Sequence, residues 1–113
     1  MKVPNSDRAV IESSKLRDYI LSDAQPVGRF KARFFLSLGY SGDDPGRLEQ
    51  DLYLHLRQHD AAPGEPSLYG VKYLVRGSLT GPNGTSADIV SVWIIRAAED
   101  YPRLVTAYPG AGT

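Results

Sequence analysis

The second half of the chain carries basic and hydroxyl side chains that alternating strands would group on one sheet face. Arginine and lysine offset charge that develops on a phosphate, and tyrosine or lysine can move protons. Such a face could hold a scissile phosphate without a metal ion. The same alternation also arises on a solvent-facing sheet side that has no activity, so both interpretations stay open. The candidate residues are Lys72, Arg76, Ser78, Ser91, Arg103, Thr106 and Tyr108.

Ser91 stands apart from the other candidates because it lies in a predicted strand that is otherwise apolar. Its neighbours Val90, Val92 and Trp93 supply the bulk of a core strand, so packing does not require a hydroxyl there. A hydroxyl that packing does not need favours a role in chemistry.

The histidines and acidic residues favour structural roles over metal binding. His55 and His59 are spaced i, i+4 on a predicted helix, but Leu56 follows His55, so the zinc motif H-E-x-x-H is absent and we expect an exposed pair. The acids near Asp43 and Asp44 lie where helix capping explains them. We predict no metal site and no cofactor.

Composition narrows the possible classes of protein and of site further. The 113 residues predict one domain, spanning 1–113. The chain has no cysteine, which excludes disulfides, a thiolate nucleophile and a cysteine-ligated metal. The polar N-terminus lacks a signal-peptide pattern, and no apolar run approaches the roughly 20 residues that span a bilayer. We therefore expect a cytoplasmic protein with no membrane association.

Charge is balanced in total but not along the chain. The 13 basic residues equal the 13 acidic ones. Residues 1–33 nevertheless contain seven basic and four acidic side chains, and residues 34–67 contain two basic and six acidic ones. A neutral chain is not typical of proteins that bind nucleic acid non-specifically. A local basic cleft remains an open alternative to a mixed, solvated surface.

Periodicity predicts helices first and strands afterwards. Apolar residues at helical spacing indicate helices near residues 15–21, 28–38 and 45–57, the third with Asp44 as N-cap and Pro45 at the first position. Residues 60–66 predict a loop. Alternation then predicts strands over 69–78, 86–97 and 103–108, with a turn at residues 81–84. The fold class is α+β: two or three N-terminal helices packed on a C-terminal antiparallel β meander.

Several sequence blocks resemble a small bacterial family, domain-of-unknown-function family 6883. The blocks include Val27-Gly28-Arg29-Phe30-Lys31-Ala32-Arg33, Tyr69-Gly70-Val71-Lys72-Tyr73, Ser91-Val92-Trp93-Ile94-Ile95 and Pro102-Arg103-Leu104-Val105-Thr106-Ala107-Tyr108-Pro109. The resemblance covers nearly the whole chain, and it implies no established function.

The order of elements and the last strand also resemble the barnase–EndoU–colicin–RelE (BECR) group of metal-independent ribonuclease toxins. This second resemblance is partly an analogy of fold. It implies an RNA substrate and a small antitoxin-like or immunity-like protein partner. On that basis the catalytic set is Lys31, Arg76, Ser91, Arg103, Thr106 and Tyr108, and the substrate-binding set is Arg29, Arg33 and Lys72.

One position departs from the family pattern. The second helix of the family often reads Gly-Arg-His-Lys-Ala, and this chain has Phe30 at the histidine position. If that histidine is a general base, Lys31 would have to replace it, and a lysine needs a strongly lowered pKa to do so near neutral pH. The alternative function is a non-catalytic interaction domain, such as a toxin–antitoxin or immunity partner. The sequence leaves the oligomeric state open.

Overall fold

The computed structural model describes residues 1–12 and 29–110, with side chains from Ala32 onward in the second range. The helix predicted near residues 15–21 lies outside the described residues. The elements are a 3-10 turn at Ser6–Arg8, helices α1 (Arg29–Ser37) and α2 (Pro45–Gln58), and strands β1 (Ala61–Pro63), β2 (Gly70–Thr80), β3 (Ser86–Arg96) and β4 (Pro102–Pro109). The predicted α+β class is confirmed.

The strands form one antiparallel sheet in the order β1-β2-β3-β4 within the described residues. Strand β1 corrects the prediction of a loop at residues 60–66, because Ala61 pairs with Val75 and Pro63 with Tyr73. A three-residue strand is too short for alternation to show in the sequence. Pro63 is tolerated because β1 is an edge strand, where a missing N–H breaks no ladder.

Helix α2 covers one face of this sheet, which we call the inner face. Leu48, Leu52 and Leu56 recur at i, i+4, i+8, and all three are fully buried. They belong to a core that includes Val75 of β2 and Trp93 of β3. Pro45 occupies the first turn as predicted, but Asp44 makes no side-chain cap bond.

Helix α1 ends where the β2–β3 loop meets it. Gly39 adopts φ +100°, and its N–H donates to Leu36 O (3.0 Å) while the Tyr40 N–H donates to Phe35 O (3.4 Å). This is a Schellman ending, which glycine permits because it has no Cβ. The side chain and the N–H of Asn83 donate to Ser37 O (3.0 Å) and Leu38 O (3.2 Å). The β2–β3 loop therefore caps α1 and fixes it against the sheet.

Candidate functional site

Five of the sequence-predicted site residues share the outer face of the sheet, opposite α2. The register forms two rows across the strands. Arg76 of β2 and Tyr108 of β4 both pair with Val90, and Lys72 and Arg103 both pair with Ile94. Thr106 lies between these rows, opposite Val92. The fold thus gathers Lys72, Arg76, Arg103, Thr106 and Tyr108 on one surface. Alternation accounts for the shared face of Lys72 and Arg76, whereas the bulge between Val92 and Trp93 brings Arg103 to the face of Thr106 and Tyr108.

Ser91 lies on the inner face, away from that surface. Its side chain is fully buried, and His55 is only 1% exposed. The Trp93 indole Nε1–H donates to Ser91 Oγ (2.9 Å), and Ser91 Oγ lies 2.9 Å from His55 Nδ1. His55 Nε2 lies 3.1 Å from Gly77 O. Because a carbonyl only accepts, Nε2 carries the proton of His55, Nδ1 accepts, and the Ser91 hydroxyl donates to it. Every polar atom in this chain of bonds has a partner.

Burial also fixes the charge state of His55. Removal from water lowers its pKa to about 4, and the neighbouring ring of His59 acts in the same direction. His55 is therefore neutral near pH 7. A serine bonded to a neutral histidine matches a nucleophile and its base in distance. Both side chains are buried, so neither is open to a substrate in this conformation, although His55 borders a surface hollow of about 180 Å³.

Two expectations from the sequence are corrected by this arrangement. The two histidines do not form an exposed pair, because His55 is buried. The Ser91 hydroxyl has a structural role, because its hydrogen bonds join Trp93 to His55. The sequence contained a signal that His55 would be buried. His55 follows Leu52 by three positions and therefore falls on the same apolar stripe of α2.

Arg103 is held by acidic neighbours on its own side of the sheet. Its guanidinium donates to both carboxylate oxygens of Glu99 (2.9 and 3.0 Å) and to the Tyr101 hydroxyl (2.8 Å), and it lies 3.7 Å from Glu12. The hydrogen bond from Arg103 lowers the pKa of Glu99 below its ordinary value. Much of the Arg103 charge is thus already matched within the protein.

An open hollow of about 540 Å³ occupies the end of the outer face beside Arg103. Lys72 and Arg96 line it with exposed side chains, together with Glu12 and Tyr69. Among the described residues, no ion pair joins Lys72 or Arg96 to a carboxylate. Three cations therefore surround this hollow against one lining carboxylate, and two of them, Lys72 and Arg96, form no ion pair with a described residue, although Arg96 lies close enough to Glu99 to help lower the pKa of that carboxyl. Arg96 is a residue that the sequence analysis did not single out.

The remaining predicted residues lie on α1. The side chains of Arg29 and Lys31 lie outside the described residues. Arg33 is exposed on α1, a helix that sends Phe35 and Leu38 into the core on the inner side of the sheet. Arg33 is therefore on a different layer from the outer-face rows.

The described part of the chain contains no cluster of three or more metal-ligating side chains. Within the same residues, no helix has the length and apolar character needed to cross a membrane.

The chain is similar to one protein family and to a solved structure. The family model of a domain of unknown function, DUF6883, matches residues 2–111. No curated protein matches the chain. Among solved structures, a chain of a contact-dependent growth inhibition toxin–immunity protein complex from Klebsiella pneumoniae 342 is similar in fold, with a TM-score of 0.70 and 15% sequence identity. The similarity covers 95% of this chain and 97% of that one.

Proposed function

This chain belongs to the DUF6883 family, and we propose that it is a metal-independent ribonuclease that acts within a toxin–immunity-type system. The observation that carries the proposal is the pair of outer-face rows, Arg76 with Tyr108 and Lys72 with Arg103. The Arg76–Tyr108 row brings a cation and a phenol together, where they can act on one phosphodiester. The Lys72–Arg103 row lies about 13 Å further along the strands, where it can contact a neighbouring phosphate.

The spacing of the sheet suits a phosphodiester between Arg76 and Tyr108. Neighbouring strands lie about 4.8 Å apart, so backbones two strands apart are separated by roughly 10 Å. Arginine and tyrosine side chains are each long enough to cover half of that distance. Val90 lies between them in the row and is fully buried, so a phosphodiester would contact the ends of the Arg76 and Tyr108 side chains and not Val90 itself.

The proposed reaction is an internal transfer at phosphorus. The ribose 2′-oxygen forms a bond to phosphorus as its proton passes to a base, and the bond from phosphorus to the 5′-oxygen breaks as that oxygen receives a proton. Arg76 stabilises the charge on the phosphoryl oxygens, and Tyr108 donates the proton to the leaving oxygen. Solvent water is the proposed base, because Lys31 lies on α1, on a different layer from these rows. His55 is excluded from that role because its ring is enclosed by the core.

A chain from a toxin–immunity protein complex has a similar fold, and this likeness is the reason for proposing that biological setting. At 15% identity it supports fold alone, so the activity must be argued from the site. We propose that a small immunity-like protein covers the outer face and blocks access to RNA.

Cleavage of a labelled single-stranded RNA by the purified chain in excess EDTA tests the proposal. We expect wild-type cleavage, with losses on the order of 10²-fold for Tyr108→Phe and for Arg76→Ala. Arg57→Ala is the matched control, because Arg57 is an exposed cation on α2, on the opposite side of the sheet. Intact RNA with the wild-type chain, or equal losses for Arg57→Ala and Arg76→Ala, would rule the proposal out.

A second candidate, a non-catalytic interaction domain, is favoured by one observation. Leu68 and Tyr69 are 94% and 78% exposed at the turn before β2. Large apolar side chains exposed together are typical of contact surfaces. If RNA stays intact and the purified product of the neighbouring gene binds the chain, this second function replaces the first.

A further inference from the structure

The turn that carries Tyr69 is held firmly although its side chains are exposed. Ser67 and Gly70 exchange backbone hydrogen bonds (2.9 and 3.2 Å), and the Tyr69 N–H donates to Ser67 Oγ (3.2 Å). The Ala97 N–H donates to Tyr69 O (3.0 Å), which ties the turn to the end of β3. Gly70 has φ +138°, and a Cβ there would overlap the backbone of Ile95. The turn therefore presents Tyr69 from a fixed backbone.

Tyr69 borders the hollow that Lys72 and Arg96 line. Tyr69 is 78% exposed, so its side chain contributes little to the buried core. An aromatic ring on a fixed backbone, beside two exposed cations that form no ion pair with a described residue, combines the two features that bind single-stranded nucleic acid. The ring stacks on a base and the cations contact the phosphates.

We propose that Tyr69 is a base-stacking subsite and that the substrate is therefore single-stranded RNA. One unpaired base stacks on the Tyr69 ring, and the adjoining phosphate lies in the hollow against Lys72 and Arg96. This inference rests on the proposed function for its RNA substrate. It adds that the RNA must be single-stranded and that Tyr69 is the residue that sets this requirement.

The strand requirement follows from the geometry of RNA. In a duplex, both faces of each base are covered by neighbouring bases, so the Tyr69 ring has no free face to contact. An unpaired base exposes its faces, and stacking on an aromatic side chain tolerates any base because every base has a π-face. We expect little sequence preference at this subsite.

Fluorescence anisotropy with a labelled 2′-O-methyl RNA decamer of unstructured sequence tests the subsite, because this probe cannot be cleaved. We expect the wild-type chain to bind it at least about tenfold more tightly than the same decamer in a duplex. Tyr69→Ala should weaken binding between about 5-fold and 150-fold, the range for one stacked base. Tyr69→Phe should retain affinity, because the ring remains.

Leu68→Ala is the matched control, since Leu68 is even more exposed in the same turn but has no aromatic ring. We expect less than a twofold change for that variant. The inference is overturned if Tyr69→Ala leaves affinity unchanged, if Leu68→Ala weakens it as much, or if duplex binds equally well. Equal weakening by Leu68→Ala would indicate an apolar protein contact. Equal binding of duplex would indicate simple charge attraction.

The outcomes separate this inference from the proposed function. If the wild-type chain cleaves RNA and Tyr69→Ala binds normally, the stacking subsite is wrong and the ribonuclease stands. If the chain binds the single strand through Tyr69 and cleaves nothing, the subsite stands and the catalytic function fails. If the chain neither binds nor cleaves RNA, both fail.

Discussion

Removal of the Ser91 hydroxyl should lower the stability of the folded protein and should not remove a group that takes part in catalysis. In Ser91→Ala, the buried Trp93 indole N–H and His55 Nδ1 both lose their partner. A buried polar group without a partner costs roughly 1–3 kcal/mol. We expect the free energy of unfolding to fall by about 4 kcal/mol, because each of the two groups contributes about 2 kcal/mol, the middle of that range. For 113 residues the total is roughly 6–17 kcal/mol, so the variant folds with a clearly reduced margin.

Urea denaturation followed by tryptophan fluorescence measures this loss, because Trp93 is the chain's one tryptophan and lies inside the network. Ser86→Ala is the control on the same strand. Ser86 bonds to Thr80 Oγ1 at the exposed surface, so its loss should change stability by no more than about 0.5 kcal/mol. If Ser91→Ala unfolds at the wild-type urea concentration, the structural argument is refuted. If it does so while losing RNA cleavage, Ser91 acts in the chemistry.

Two further predictions concern His55 and the cap of α1. The folded-state pKa of His55 is about 4, below its ordinary value of 6.5, so between these pH values the unfolded chain binds a proton that the folded chain does not. The free energy of unfolding therefore falls progressively as the pH falls from 6.5 to 4. At 1.36 kcal/mol per pH unit, His55 accounts for a loss of about 3 kcal/mol. The urea midpoint of His55→Leu should not show this loss over the same pH range. Asn83→Ala should cost about 1 kcal/mol in the same assay because Ser37 O loses its donor. Asn83→Asp should cost at least as much, since a carboxylate cannot donate and lies at the negative end of α1; a more stable Asp variant would contradict the capping role.

The candidate site was partly predictable because strand alternation is a local property. Lys72 and Arg76 are four residues apart, so a shared face follows from period two wherever the strand lies. That Arg76 aligns with Tyr108 depends on two antiparallel registers and a bulge near Val92, which no local pattern contains. The neutralisation of Arg103 by Glu99 and Glu12 likewise depends on how the β3–β4 turn and the N-terminal segment lie against β4.

The sequence by itself determined the α+β class, most element positions and the family, because periodicity, glycine and proline act over a few neighbouring residues. Only the tertiary structure decided what the polar residues do. Ser91 and Arg103 were both candidates in the sequence, yet Ser91 is buried against His55 and Arg103 is paired at the edge of a hollow. The sequence predicted Tyr69 at the start of a strand, and only the structure shows that its side chain is exposed on a turn, because exposure depends on which other segments pack against a side chain. Burial and partnership are set by contacts between distant segments, and they determine which polar groups are available for binding or chemistry.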